Sequence, residues 1–98
     1  MPVPGGEREE WLSRLNDSPI ETGTQVASLI QGDLEALGSG EHIRVGTRVL
    51  NEMAARSLIR SLLTSVDHVE VAALARQYIA TATIEKDDEG LRGINVDN

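Results

Sequence analysis

His42 and His68 are the only histidines, and their neighbours do not suit metal or acid–base chemistry. His42 follows Glu41, and His68 lies between Asp67 and Val69, so neither has a ligand at the i+3 or i+4 spacing of a helical metal site. At the start of a helix, His68 reads as an exposed first-turn residue. The chain has no Cys, which removes thiolate nucleophiles, thiolate metal sites and disulfides. No serine stands in a Gly-x-Ser-x-Gly elbow. Gly38-Ser39-Gly40 lacks the third glycine of a dinucleotide loop and follows a helical pattern, not a strand. Glu9/Glu10 and Asp87/Asp88 read as solvated carboxylate runs, because nothing around them would push two pKa values apart. These residues predict no catalytic or metal site and no cofactor, so the expectation is a protein that is not an enzyme.

The residues that carry a partner signal are arginines. Residues 42–66 hold Arg44, Arg48, Arg56 and Arg60 against Glu52 alone, a local charge of +3. The flanking segments, 1–41 and 67–98, carry −6 and −4, and the whole chain −7. That total argues against a general nucleic-acid binder. The plain account of the pattern is solvated helix faces with local ion pairs. The sharper one is that Arg44, Arg48, Arg56 and Arg60 meet an acidic protein surface. On a single helix the four would sweep about half the circumference, at 3.6 residues per turn. They share a face only if the first two lie on a strand.

The elements that would position these side chains follow from periodicity. Glu7–Leu15 predicts a short helix with Trp11, Leu12 and Leu15 on one face and early carboxylates at its positive end. Asn16-Asp17-Ser18-Pro19 stops it. Ser18-Pro19-Ile20-Glu21 predicts a new start, with Ser18 as cap and Glu21 closing a capping box; Thr22-Gly23-Thr24-Gln25 is a competing start. Val26, Ala27, Ile30, Leu34 and Leu37 then keep helical spacing, and Gly38 suits a left-handed cap. Ile43, Val45, Thr47 and Val49 alternate with polar residues, which suits a short strand over 43–49 or the opening turns of a long helix. From Leu50 the helical period returns, with Leu50, Ala54, Leu58 and Leu62 in one stripe. Asp67 predicts the next helix start, with Glu70 as its capping-box partner and Val66/Val71 as a hydrophobic staple. Val71, Leu74, Ala75, Tyr78 and Ala82 share its inner face. Residues 79–84 drift towards β-branched composition. Asp87-Asp88-Glu89-Gly90 signals a turn, after which Leu91–Val96 would return as a strand or stay disordered.

The expected architecture is mainly α: a compact bundle of three to four helices, with a short strand near 43–49 and a C-terminal hairpin. Residues 1–6 would form a flexible leader, 7–85 one helical domain, and 86–98 an acidic tail or hairpin return. The same order of elements also fits a winged helix. In that alternative the second helix-turn-helix helix opens with Asp67, His68 and Glu70, and the acidic groups there would meet phosphates badly. The only aromatics are Trp11 and Tyr78, so the core must be aliphatic, and a thin core favours self-association. No apolar run is long enough to span a membrane, the N-terminus lacks signal-peptide regions, and a cytoplasmic location is the default expectation. The leading functional expectation is a non-enzymatic protein-interaction or assembly subunit that forms a homo-oligomer, a second copy covering the apolar face of Val26–Leu37 and the Trp11 helix. The alternatives are a winged-helix or helix-turn-helix nucleic-acid-binding regulator using the Arg44–Arg60 segment, and an acidic inhibitor that imitates nucleic acid.

Overall fold

The computed structural model describes residues 7–87. Two helices come first, α1 (Arg8–Asp17) and α2 (Pro19–Glu35). A hairpin of β1 (Glu41–Val45) and β2 (Arg48–Leu50) follows, then α3 (Glu52–Thr64) and α4 (His68–Thr81), and finally β3 (Thr83–Lys86). The fold is mainly helical with a small three-stranded antiparallel sheet in the order β2-β1-β3. The leader at 1–6 and the return strand at 91–96 lie outside the described residues. Of the expected tail, Lys86 belongs to β3 and Asp87 follows it directly.

Ser18 ends α1 by donating its amide to the Arg14 carbonyl, and it is also the residue before α2. Its side chain caps nothing, so the Ser18/Glu21 capping box does not form. Pro19 at the first helical position, with its fixed φ, starts α2 without that help. Gly23 is not a helix start either. It lies buried inside α2, where an added Cβ would fall 2.3 Å from Val71 Cγ1 of α4. The glycine is what lets these two helices touch.

The left-handed position after α2 belongs to Gly40 (φ +78°), not to Gly38. Gly38 instead donates its amide to Glu41 Oε1 at 2.6 Å. The alternation over 43–49 is two strands, not one. Gly46 (φ +63°) opens a two-residue turn, a geometry that suits a type II′ hairpin. The reversal puts Val49 opposite Arg44 and Leu50 opposite Ile43. Ile43, Val45 and Leu50 are therefore buried, while Val49 is 48% exposed on the other face. Leu50 leaves the α3 stripe, and Asn51 caps α3 by accepting the Ala54 amide at 2.9 Å. The buried side of α3 is Ala55, Leu58 and Leu62, with Ala54 half-buried.

Asp67 caps α4, accepting the Val69 and Glu70 amides at 2.9 and 3.2 Å. The return half of the box is relayed. Ser65 Oγ donates to Glu70 Oε1 at 2.8 Å and accepts the Asp67 amide at 3.2 Å. The staple is absent: Val66 is 88% exposed, because the turn points it away from Val71, which is fully buried. α2 packs against α1, α3 and α4, and the core runs from Leu15 through Val26 and Ile30 to Leu62, Val71, Tyr78 and Ile79. Tyr78 is the one fully buried aromatic. Its hydroxyl donates to Asp33 Oδ2, tying α4 to α2. Burial, reinforced by that bond, pushes the phenol well above the ordinary tyrosine value; burial likewise raises the Asp33 carboxyl, against the opposing effect of Tyr78's donation.

Candidate functional site

The four arginines singled out by charge do not form one surface. Arg44 lies on β1 and Arg48 on β2, but the hairpin register puts them on opposite faces of the sheet. Arg48 borders a hollow of about 220 Å³ between β2, α3 and α4, where Leu50, Leu58 and Leu74 form the apolar wall. Arg44 and Arg56 instead share a groove of about 660 Å³ between the outer sheet face, the end of α2 and the start of α3. Arg56 and Arg60 share a shallower hollow of about 310 Å³ between α2 and α3.

Two arginines are held by this chain's own carboxylates. Arg44 Nε donates to Glu85 Oε1 at 2.8 Å, across strands β1 and β3. Arg56 donates to Glu52 Oε1 at 3.1 Å, one turn away on α3. Arg48 and Arg60 have no acidic side chain within ion-pair distance among the described residues. The Arg44 guanidinium holds the Glu85 carboxyl below the usual carboxylate range.

Beside Arg44, sequence inspection missed a cluster. His42 pairs in register with Glu85, and its Nδ1 lies 2.7 Å from Asp87 Oδ1. An ionised carboxylate can only accept, so Nδ1 is assigned the proton. Nε2 lies 3.5 Å from Glu85 Oε1, an ion-pair distance without hydrogen-bond geometry. Nε2 is therefore buried with no hydrogen-bond partner. The Asp87 amide also donates to the Gly40 carbonyl, which fixes Asp87 beside the imidazole. The signal for this cluster is alternation: His42 and Arg44 share one side of β1, and Thr83 and Glu85 share that side of β3. It becomes visible only once the two strands, about 40 residues apart, are paired.

The groove mixes charges over an apolar floor. Leu34, Leu37 and Val49 form the floor, and the carboxylates Glu35, Glu41, Glu52 and Asp87 stand around Arg44 and Arg56. Most of these carboxylates already serve the fold: Glu41 on the Gly38 amide, Glu52 on Arg56, Asp87 on His42. Among the described residues, no three His, Asp or Glu side chains are grouped to hold a metal ion, and no helix is long and apolar enough to cross a membrane. What the surface offers is ion pairing around exposed apolar side chains. Compared with known protein families, curated proteins and solved structures, the chain matches none.

Proposed function

We propose that this chain is a non-enzymatic protein-interaction subunit that assembles with itself. The observation that carries this reading is the partnering of two of the four central arginines: Arg44 is held by Glu85 and Arg56 by Glu52. A surface built to take phosphates would leave its cations free and free of competing carboxylates. Here the larger groove sets four carboxylates among its lining. α3 also exposes Met53 and Leu63, and β2 exposes Val49, and apolar side chains among charged ones are the composition of a protein–protein contact. Asp67 and Glu70 at the start of α4 weaken the regulator reading further, since that helix would have to approach DNA with its acidic end.

The test is mass by light scattering and sedimentation from low to high micromolar concentration, with and without duplex DNA. A concentration-dependent dimer or higher oligomer, unaffected by duplex, is expected. A strict monomer at every concentration overturns the reading. Submicromolar duplex binding at physiological salt, lost in Arg56→Glu/Arg60→Glu, replaces it with the regulator.

A further inference from the structure

His42 keeps a polar atom that the fold does not serve. Its ring, 16% exposed, lies between two carboxylates: Asp87 Oδ1 is 2.7 Å from Nδ1, and Glu85 Oε1 is 3.5 Å from Nε2. Nε2 is buried without a hydrogen-bond partner. With a single proton on Nδ1, the ring turns a bare lone pair towards a carboxylate oxygen, so acceptor faces acceptor. A second proton makes Nε2 a donor, and both sides of the ring then meet an opposite charge.

The charges around the ring leave room for that proton. Glu85 and Asp87 bring two negative charges, and Arg44, which donates to Glu85 Oε1, brings one positive charge. On α2, Glu35 accepts from Gln31, and on β1, Glu41 accepts the Gly38 amide; both line the same groove and keep their charge. On α3, Glu52 and Arg56 offset each other. Lys86 alternates to the other side of β3 from Glu85, and β2 turns Val49 to this side and Arg48 away. The groups facing His42 are thus short of a cation. Arg44 holds the Glu85 carboxyl below the usual carboxylate range, so Glu85 stays ionised where imidazoles titrate. Partial burial and Arg44 oppose a charged ring, and the two adjacent carboxylates favour it.

We infer that His42 is a proton-operated clasp on the sheet edge: a second proton, taken up at Nε2, ties the Glu85–Asp87 segment to β1, and its loss loosens that segment. β3 is an edge strand paired with β1 alone among the described residues, and Asp87, directly after it, lines the large groove. Acidification through the ordinary imidazole range, centred near about 6.5, therefore tightens both the strand end and that side of the groove. The clasp fails only at lower pH, where the carboxylates themselves take up protons. Every group in it belongs to one chain, so the inference does not depend on self-association.

The experiment follows the Asp87 amide, which donates to the Gly40 carbonyl, by solvent-exchange NMR on the full chain carrying His68→Gln. That change removes the other imidazole, which is exposed. Protection, taken relative to the unstructured rate at each pH, is expected to be about threefold or more higher at about pH 5.5 than at about pH 8. The step should be absent when His42→Gln is added. Asp87→Asn keeps an acceptor but not the charge, and it should lose most of the step. Equal protection at both pH values, or the parent's full step in either variant, overturns the clasp. If His42→Gln does not fold, the parent decides through its side chains. The Glu85 carboxyl carbon shift should then move together with the His42 ring nitrogens, and a Glu85 signal that ignores the ring overturns the proposal.

Discussion

The crossing of α2 with α4 and the outer face of α3 with the sheet are built on different principles. At the crossing, every group has a place. Gly23 makes room for Val71, and Tyr78 fills the core while handing its hydroxyl to Asp33. On the outer face, polar groups serve one another incompletely: His42 Nε2 is buried without a hydrogen bond, Arg60 has no acidic neighbour among the described residues, and Met53 stands in water. The first region spends its side chains on stability, and the second leaves groups unpaired at the surface. Substitutions at the crossing should therefore be costly to the fold, and those on the outer face nearly silent until assembly is measured.

Tyr78→Ala should show the largest effect, a loss of about 3–5 kcal/mol in urea unfolding, because it empties a filled core position. A loss below about 1 kcal/mol would show that the crossing is not the stable half. The same residue sets an alkaline limit. Its folded pKa is raised, so its contribution is fully present below the ordinary tyrosine value of about 10 and drains away as pH rises beyond it. Melting temperature should fall above that pH in the parent and fall less in Tyr78→Phe. Gly23→Ala comes next. Helix propensity alone would favour it by about 1 kcal/mol, but a Cβ at 2.3 Å from Val71 Cγ1 forces a shift, and a net loss of about 1–3 kcal/mol is expected. Val71→Ala in the same chain should recover part of that loss, which a thermodynamic cycle measures.

Asp67→Ala should cost about 0.5–2 kcal/mol through the loss of the acceptor for two first-turn amides. Coincident melts for this variant and the parent would remove Asp67 as the cap of α4. Glu85→Gln is the smallest change and belongs to the outer face. Arg44 depresses the folded pKa of Glu85, so the pair's stabilisation is present above the ordinary glutamate range and is lost as pH falls through the lower folded value. The variant should melt slightly below the parent at neutral pH, by the small contribution of one exposed pair, and converge with it as pH falls, giving a flatter acid limb. A large loss at neutral pH would make the outer face structural and blur the contrast.

The sequence carries the helical half well because its signals are local. Asp67 is two and three residues from the amides it caps, and Val71, Ala75 and Tyr78 reveal their shared face by spacing alone. It misleads wherever a feature depends on pairing. The alternation Ile43, Val45, Thr47, Val49 looks like one strand, yet the turn at Gly46 sends Val49 to the opposite side from Ile43. Gly23 resembles a helix-start glycine until Val71 is seen against it. The arginines were visible as charge, but their separation depends on register, with Arg44 and Arg48 on opposite faces. The His42, Glu85 and Asp87 cluster was illegible for the same reason: its members meet only across β1 and β3.

β1 occupies the middle of the sheet, yet its two neighbours reach it at different moments. β2 follows after a two-residue turn, whereas β3 follows only after all of α3 and α4. On a ribosome adding about 5–20 residues per second, that interval lasts roughly two to seven seconds. For that time the nascent hairpin presents the unpaired backbone of Glu41–Arg44 to every other emerging chain. Charged side chains along an open edge are a recognised deterrent to edge-to-edge pairing. Glu41 and Arg44 lie on that strand, so they can guard it against aggregation during synthesis, before Arg44 has Glu85 to bind.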